Sequence, residues 1–329
     1  MLHSLQQTHS LEQIKDESNR LLGINTEVAK AIIGQQQTLT FIVIALLCDA
    51  HILLEGVPGV AKTTMIKAIA KVLDLHYSRI QFTPDLLPAD LIGTLIYNPK
   101  TQEFETKKGP IFANLILADE INRAPAKVQA ALLEAMEEKQ VTIGSNTFVL
   151  DKPFLVFATQ NPIEQEGTYR LPEAQLDRFM FKLQVTYPTT DQEKIILTKK
   201  ADLSSLSYVV SQEDLASAKQ TVEKTYVDEK IINYIVDIVC ATRDPKKYGL
   251  HALQPYIRYG VSPRATIALH KAARAYAFLK QRHFVTPDDV KAVCYPILRH
   301  RLLLTYEAEA EEISTEQIIA KVLQAVVSP

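Results

Sequence analysis

The chain has 329 residues, of which 47% are hydrophobic and 22% charged, a composition typical of a soluble globular protein with room for two domains. Its 36 basic and 38 acidic residues give a net charge of −2, so the overall charge gives no case for binding nucleic acid. The most apolar stretch, residues 41–54, is too short to cross a bilayer, and the polar first ten residues contain no apolar signal core, so we expect a cytoplasmic protein without a membrane span.

The first 30 residues are predicted to be helical, and short apolar runs then alternate with helical patterns as far as residue 187. Such alternation predicts an α/β domain over residues 31–187, with three layers around a mostly parallel five-stranded sheet. The predicted strands cover residues 52–54, 76–82, 115–118, 154–158 and 181–185, with helices at residues 63–73 and 126–138 between them.

Two segments interrupt this alternation. Residues 94–108 and 140–150 each show alternating apolar residues on both sides of a turn, which predicts β-hairpins inserted into the α/β domain. Beyond Pro188 the pattern is helical, and we expect an all-α domain over residues 188–329. Ser262 and Thr286 each precede a proline there, as hydroxyls that cap helices do. The predicted helices lie near residues 213–224, 228–242, 263–281, 287–299 and 315–326.

A loop typical of phosphate binding follows the first predicted strand. Between a strand and a helix, such a loop points backbone N–H groups at phosphates. Lys62 would reach the β- and γ-phosphates, and the Thr63 hydroxyl would bind Mg²⁺. Ala61 stands where the general pattern has glycine, which is tolerable only if the backbone avoids the region that glycine alone adopts. The loop and the start of the helix read Gly56-Val57-Pro58-Gly59-Val60-Ala61-Lys62-Thr63-Thr64.

Two acidic residues end the third predicted strand, at the sheet edge where open α/β sheets bind ligands. Asp119 would hold Mg²⁺ through water, and Glu120 would polarise the attacking water as a general base. Solvated carboxylates at a strand end are the alternative for these two residues alone. The phosphate loop upstream favours the catalytic interpretation.

Three polar residues further along are candidates for contacts with the phosphates. Asn161 follows a buried strand and could bind the γ-phosphate and the attacking water, although an Asn-Pro turn is the alternative. Arg178 ends a short predicted helix, where a solvated arginine is also favourable. Arg264 is the second residue of a helix, where a cation opposes the helix dipole by roughly 0.3–1 kcal/mol, so its placement indicates an anionic partner.

The order of these motifs resembles that of the AAA+ ATPases, and the sequences around them resemble the MoxR family within the helix-2-insert clade. The similarity extends from about Ile32 to Leu302. Arg170 stands where the family commonly has proline, which puts the loop before Leu171 in question. The family sequences are Phe-Thr-Pro-Asp-Leu-Leu-Pro at residues 82–88, Ala-Asp-Glu-Ile-Asn-Arg-Ala-Pro at residues 118–125, and Ala-Thr-Gln-Asn-Pro-Ile-Glu-Gln-Glu-Gly-Thr-Tyr at residues 158–169.

This resemblance implies a role for each candidate residue. Asn161 would be sensor 1, Arg178 the arginine finger that enters a neighbouring subunit's site, and Arg264 sensor 2 on the lid, acting in cis or in trans. The catalytic set would be Glu120, Asn161, Arg178 and Arg264. The nucleotide would be bound by Ile33, Gly34, the Walker A residues Gly56, Val57, Pro58, Gly59, Val60, Ala61, Lys62, Thr63 and Thr64, and the Walker B residue Asp119, with Thr63 and Asp119 as Mg²⁺ ligands.

The resemblance also implies a function. The protein would be an ATPase with ATP and Mg²⁺ as cofactors. Its subunits would assemble into a homo-oligomeric ring, a hexamer. Hydrolysis would drive the remodelling or maturation of protein complexes in a chaperone-like manner. The partners would be protein clients, some of them proteins with von Willebrand factor A domains.

Two alternatives remain open on the sequence. Related rings act on DNA through similar hairpins, but the turn at residues 144–146 carries no Lys or Arg. Lys107 and Lys108 are interspersed with Glu103 and Glu105 in the other hairpin region, which disfavours a grip on a phosphate backbone. The second alternative is an ATP-dependent adaptor with little turnover, which the paired acids after the third strand disfavour.

Overall fold

The computed structural model describes residues 2–161, 168–169, 171–199 and 202–329, with side chains from residue 11 onwards. Short 3₁₀ helices lie at Ile121–Arg123, Pro245–Tyr248 and His251–Tyr256. The strands are β1 (Ile52–Glu55), β2 (Tyr77–Gln81), β3 (Gly93–Asn98), β4 (Glu103–Lys108), β5 (Leu115–Asp119), β6 (Gln140–Ile143), β7 (Asn146–Val149), β8 (Leu155–Gln160), β9 (Phe181–Gln184), β10 (Ile257–Tyr259) and β11 (Leu303–Leu304). The α-helices are α1 (Leu2–Val28), α2 (Gln36–Leu47), α3 (Lys62–Val72), α4 (Pro88–Ile92), α5 (Ala126–Glu138), α6 (Glu173–Leu176), α7 (Thr190–Thr198), α8 (Gln212–Glu223), α9 (Glu229–Arg243), α10 (Pro263–Leu279), α11 (Pro287–Leu298), α12 (Tyr306–Ala310) and α13 (Thr315–Ala325).

Five strands form one sheet in the order β2-β5-β8-β1-β9, which confirms the predicted five-stranded sheet. The pairings of β1 with β8, of β2 with β5 and of β5 with β8 are parallel. Because the strands run in the same direction, the residues that follow β1, β5 and β8 lie at one edge of the sheet. These are the residues in which the sequence analysis placed the site.

Both faces of the sheet are covered. Ile116 and Ala118 of β5 belong to an apolar cluster with Val128, Leu132 and Met136 of α5. The alternate residues of β5 are also buried, and α3 contacts this strand. Since neighbouring residues of a strand point to opposite faces, burial of both sets requires a layer on each side. The predicted three-layer α/β architecture is therefore confirmed.

The two predicted hairpins are confirmed as separate two-stranded sheets. β3 pairs with β4 and β6 pairs with β7, both antiparallel. Phe148 of β7 packs edge-on against Phe112, with 6.1 Å between the ring centroids. Lys108 Nζ, at the end of β4, lies 4.7 Å from the Phe112 ring and 5.3 Å from the Phe148 ring. These contacts hold the ends of the two hairpins together.

The chain forms two compact units, one of Gly23–Phe179 with Leu183–Gln212, and one of Met1–Leu22, Met180–Lys182 and Glu213–Pro329. The domain limits expected from the sequence, at residues 30 and 187, stay a prediction.

Helix α7 was not predicted from the sequence. Thr189 caps it, and Ile195, Ile196 and Leu197 are exposed on it. None of the described helices is both long and apolar enough to cross a membrane.

The second unit contains the predicted helices of the C-terminal part. Ser262 Oγ accepts a hydrogen bond from the Arg264 N–H at the start of α10, as its sequence predicts. At the start of α11, Asp289 accepts a hydrogen bond from the Thr286 N–H and is paired with Arg282. The antiparallel pair of β10 and β11 was not anticipated, because strands of three and two residues are too short to show a period.

His51 directly precedes β1, and its surroundings predict that the protein becomes less stable in acid. Its ring is buried; Nδ1 accepts a hydrogen bond from the Val156 N–H at 3.0 Å, and Nε2 donates to the Met136 carbonyl at 3.1 Å. Burial lowers the pKa of His51 from 6.5 to about 4. The unfolded chain therefore takes up the proton first as the pH falls, and between about pH 6.5 and pH 4 the free energy of unfolding should decrease by on the order of 3 kcal/mol.

The measurement is denaturant unfolding at a series of pH values for the wild type and for His51→Gln, which has no titrating group at this position. The wild type should lose its stability advantage over the variant as the pH falls through this window. A difference that does not change with pH would show that the protonation of His51 is not coupled to folding.

Candidate functional site

The phosphate loop lies between the end of β1 and the start of α3, as predicted. Gly59 has φ +86° and open space around the position of a Cβ, whereas a Cβ on Gly56 would overlap the carbonyl oxygen of Val185. Glycine is thus required at the first position by packing and favoured at the second by backbone conformation. Val60 is buried, while Pro58 is exposed at the tip of the loop.

The N-terminus of α3 fits an anionic ligand. No side-chain hydrogen bond caps this helix, and its first turn contains no acidic residue. The first N–H groups of a helix lack partners within the helix and carry the positive end of its dipole. A phosphate at this place would satisfy them. Thr63 and Thr64, both partly exposed, lie in this first turn.

Ala61, the residue before α3, lies in the left-handed region with φ +59° and ψ +23°. An L residue can adopt this conformation at a cost of roughly 1–2 kcal/mol, unlike the region that is restricted to glycine. The condition that the sequence analysis set for an alanine at this position is therefore met, and the loop keeps its turn with some strain.

Ala61→Gly is expected to raise the free energy of unfolding by about 1 kcal/mol, because glycine adopts the left-handed conformation without strain. A matched control is Ala70→Gly in the interior of α3, which should lower it by about 1 kcal/mol. Thermal unfolding of the two variants shows whether each substitution raises or lowers the stability. If both substitutions destabilise the protein, Ala61 is not strained.

Lys62, the first residue of α3, is folded back over its own loop. Its Nζ donates a hydrogen bond of 2.6 Å to the Gly56 carbonyl. Partial burial lowers the pKa of Lys62, and the nearby carboxylates of Asp119 and Glu120 act in the opposite direction. The structure therefore brings the lysine and the two acids together, as the sequence predicts.

Asp119 ends β5, and Thr159 of the neighbouring β8 holds it in place. The Thr159 hydroxyl donates to Asp119 Oδ1 at 2.7 Å and accepts from the Glu120 N–H at 2.8 Å. Asp119 Oδ2 accepts two hydrogen bonds from Arg79 of β2, from Nε at 3.1 Å and from Nη2 at 2.6 Å. The aspartate is thus fixed on both oxygens by the two strands that flank its own.

Glu120, the next residue, is also held by partners. Its Oε2 accepts a hydrogen bond from Gln81 Nε2 at 3.0 Å and lies 3.0 Å from Arg123 Nε. The backbone of Glu120 has φ +55° and ψ +51°, a strained conformation for a residue with a side chain. Strain of this kind is common at functional sites, and here it turns the chain out of the strand directly after Asp119.

The oxygen donors around Lys62 fit Mg²⁺. Thr63 offers a hydroxyl and Asp119 a carboxylate, and Mg²⁺ at phosphate sites is held by one or two such protein oxygens together with phosphates and water. No group of three or more His, Cys, Asp or Glu side chains in the described part of the chain is placed to hold a metal ion alone. Mg²⁺ bound here would polarise the phosphates and offset their charge.

The remaining predicted residues of this unit lie directly after β8 and in the segment before α2. Asn161 directly follows β8 and is partly buried. Gly34 has φ +85°, and a Cβ on it would overlap the Gln192 side chain. The neighbouring Ile33 is partly buried, and Gln35 Nε2 donates to the Thr186 carbonyl at 3.3 Å. Residues 162–167, which are part of the family sequence, and Arg170, where the chain departs from the family, lie outside the described residues.

The two predicted arginines have different surroundings. Arg178, after α6, has its Nη2 3.0 Å from Glu137 Oε2 of α5, and its side chain is 30% exposed. Arg264 is exposed at the second position of α10 in the other unit, as the capping sequence predicts. The acidic partner of Arg178 was not predicted, since nothing in the sequence places residue 137 beside residue 178.

Sequence reasoning also missed polar residues that hold the two acids and the backbone that follows them. Arg79 and Gln81 are two residues apart on β2, so they share a face, but only the strand order places them beside Asp119. Gln129 is fully buried in α5, and its Nε2 lies within 3.2 Å of the carbonyl oxygens of Ile121, Ala124 and Tyr169. A glutamine within the apolar pattern of a helix was the signal that could have pointed to it.

Comparison with known proteins agrees with this geometry. Residues 51–181 match the model of the ATPase family associated with various cellular activities (AAA), and residues 251–322 match an AAA lid domain. Protein MoxR of Paracoccus denitrificans is 34% identical over 323 residues, which cover 91% of this chain and 93% of that protein. A crystal structure of a protein from Cytophaga hutchinsonii superposes with a TM-score of 0.91 at 49% identity and covers 99% of each chain.

A further relative matches over most of the chain at higher identity than Protein MoxR of Paracoccus denitrificans. Chaperone MoxR1 of Mycobacterium tuberculosis is 48% identical over 304 residues, which cover 92% of this chain and 81% of that protein. The match includes both the nucleotide-binding core and the lid. The chain is therefore an ATPase and belongs to the MoxR family of AAA+ ATPases.

Proposed function

We propose that this ATPase hydrolyses ATP with Mg²⁺ at the interfaces between subunits of a ring, a hexamer, and uses the reaction to remodel or mature protein complexes. The observation that carries the proposal is that Lys62, beyond the end of β1, and Asp119 and Glu120, at the end of β5, follow parallel strands and lie at one edge of the sheet. A lysine beside an anion-binding helix N-terminus binds phosphates, and a carboxylate next to a Mg²⁺ ligand can activate water.

Each residue of the site would act on a defined atom. Lys62 would exchange the Gly56 carbonyl for the β- and γ-phosphate oxygens. Thr63 and Asp119 would hold Mg²⁺, and Glu120 would accept the proton of the attacking water. Asn161, beyond the end of β8, would orient that water. The segment with Ile33 and Gly34 would contact the adenine.

The site would be completed by a neighbouring subunit. Arg178 is partly exposed and pairs with Glu137, and an exposed ion pair of this kind typically contributes 0–1 kcal/mol. Such a weak contact can be given up for the more strongly charged γ-phosphate of an adjacent site. Arg264 would act as sensor 2, with its cis or trans action open.

The proposal also covers the client proteins and the cellular location. The 48% identical relative is a chaperone by name, which supports a chaperone-like role for this chain. By family resemblance, the clients would be protein complexes that need maturation, with von Willebrand factor A domain proteins among the partners. We place the protein in the cytoplasm.

The test is the rate of ATP turnover per subunit at a series of protein concentrations, with Mg²⁺ and with a chelator. If Arg178 of a neighbour completes each site, turnover should need Mg²⁺ and should rise with protein concentration. The mass of the assembly, measured by light scattering, should rise over the same range of concentration. An appreciable rate from a monomer, independent of concentration, would contradict the interface model but not the ATPase.

A further inference from the structure

Arg79 makes an ion pair at the position where a cation is expected to bind. β2 and β5 run parallel, with Arg79 opposite Leu117 and Gln81 opposite Asp119. The arginine side chain extends along the strand to the end of β5, where both its Nε and its Nη2 donate to Oδ2 of Asp119, at 3.1 and 2.6 Å. The pair thus lies at the carboxylate assigned to Mg²⁺ and not at the periphery of the site.

The hydrogen bonds leave little of the carboxylate available. A carboxylate oxygen accepts about two hydrogen bonds, so Oδ2 is saturated by Arg79. Oδ1 accepts one hydrogen bond from the Thr159 hydroxyl at 2.7 Å and retains one free position. In addition, the positive charge of the guanidinium offsets the negative charge that would attract a divalent cation.

The two partners differ in their freedom to move. The Asp119 side chain is 16% exposed and is tied to Thr159, whereas the Arg79 side chain is 47% exposed. If the pair separates, the arginine is therefore the partner that leaves. Gln81 Oε1 accepts a hydrogen bond from Arg79 Nη2 at 2.8 Å, so a displaced guanidinium retains a contact on its own strand.

We propose that Arg79 competes with Mg²⁺ for Asp119: it occupies the carboxylate in the resting subunit and leaves it when nucleotide and Mg²⁺ bind together. Arg79 then sets the Mg²⁺ concentration at which the site fills. It is a positioning residue, since it acts through its hydrogen bonds to Asp119. This inference rests on the proposed function, because it assumes that Asp119 meets Mg²⁺.

The experiment measures the binding of a fluorescent, non-hydrolysable ATP analogue as Mg²⁺ is titrated, with the wild type and with Arg79→Ala. The Mg²⁺ concentration for half-maximal binding should fall about twofold to fivefold in the variant, the factor to which an ion pair of up to about 1 kcal/mol corresponds. Binding of the analogue in the presence of a chelator should change less than about twofold, since Arg79 acts through its hydrogen bonds to Asp119 and Gln81.

Two further variants keep the test decisive. Arg79→Lys retains the charge with fewer hydrogen-bond donors, and its half-maximal Mg²⁺ concentration should lie between those of the wild type and Arg79→Ala. This variant also covers the case in which Arg79→Ala does not fold. Arg20→Ala removes another arginine–aspartate pair, with Asp214 at 2.7 Å in the other unit, and should change nothing.

An unchanged or higher half-maximal Mg²⁺ concentration in Arg79→Ala would overturn the inference, because a residue that only supports Asp119 would weaken the site when removed. Binding of the analogue by the wild type without any dependence on Mg²⁺ would instead contradict the Mg²⁺ site of the proposed function, and this inference with it. The two failures are therefore distinguishable.

Discussion

Glu120→Gln is expected to bind ATP as the wild type does and to hydrolyse it at least about 10²-fold more slowly, since general-base catalysis contributes about 10²–10⁴ in rate. The substitution keeps the size and shape of the side chain. Its amide oxygen can still accept the hydrogen bond that Gln81 donates to Oε2, and it can stay next to Arg123. What is lost is the negative charge that would take the proton of the attacking water.

Binding and chemistry have to be measured separately. Binding is followed with a fluorescent ATP analogue, and hydrolysis by the release of phosphate at saturating ATP. Glu103→Gln, at an exposed glutamate of β4, is the matched control and should leave both unchanged. Normal turnover in Glu120→Gln would remove Glu120 from the mechanism, whereas lost binding would assign it to the nucleotide pocket.

Much of this site could be predicted because it depends on strands that run in parallel. Apolar runs that end in polar residues indicate strand ends, and the ends of parallel strands meet at one edge of the sheet. Lys62, Asp119 and Asn161 were located in this way. The prediction needed the direction of the strands but not their order.

The partners of the acids could not be predicted, because they depend on that order. The sheet runs β2-β5-β8-β1-β9, so residues 40 positions apart along the chain become neighbours. Arg79 and Thr159 reach Asp119 from the two flanking strands. Such contacts follow from the packing of the whole sheet and leave no local pattern in the sequence.

The strained backbone conformations of the site also could not be predicted from the sequence. The alanine at position 61 was recognised as an exception, but whether its φ would be positive depends on the closure of the whole loop between β1 and α3. Glu120 has a positive φ as well, and its sequence context, a strand end followed by Ile-Asn-Arg, contains no glycine that would indicate one. Strained turns without glycine are thus seen only in the structure.

Arg178→Ala is expected to lose about 10³–10⁵ in turnover, the range found when an arginine finger is removed from related phosphoryl-transfer sites. The loss should not arise from the broken pair with Glu137, which is part-exposed on both sides. Glu137→Gln breaks the same pair and keeps the guanidinium, so turnover of this control should stay within a few-fold of the wild type. Equal losses in both variants would make the ion pair, and not the finger, the cause.

Mixing two inactive variants distinguishes action in trans from action in cis. Arg178→Ala subunits keep their phosphate loop, and Lys62→Ala subunits keep their arginine, so a mixed ring contains some sites with both groups if Arg178 serves its neighbour. We expect turnover in the mixture to exceed the sum of the separate rates and to vary with the mixing ratio. If subunits exchange, as a label on one variant can show, and no activity returns, Arg178 acts within its own subunit and the interface model fails.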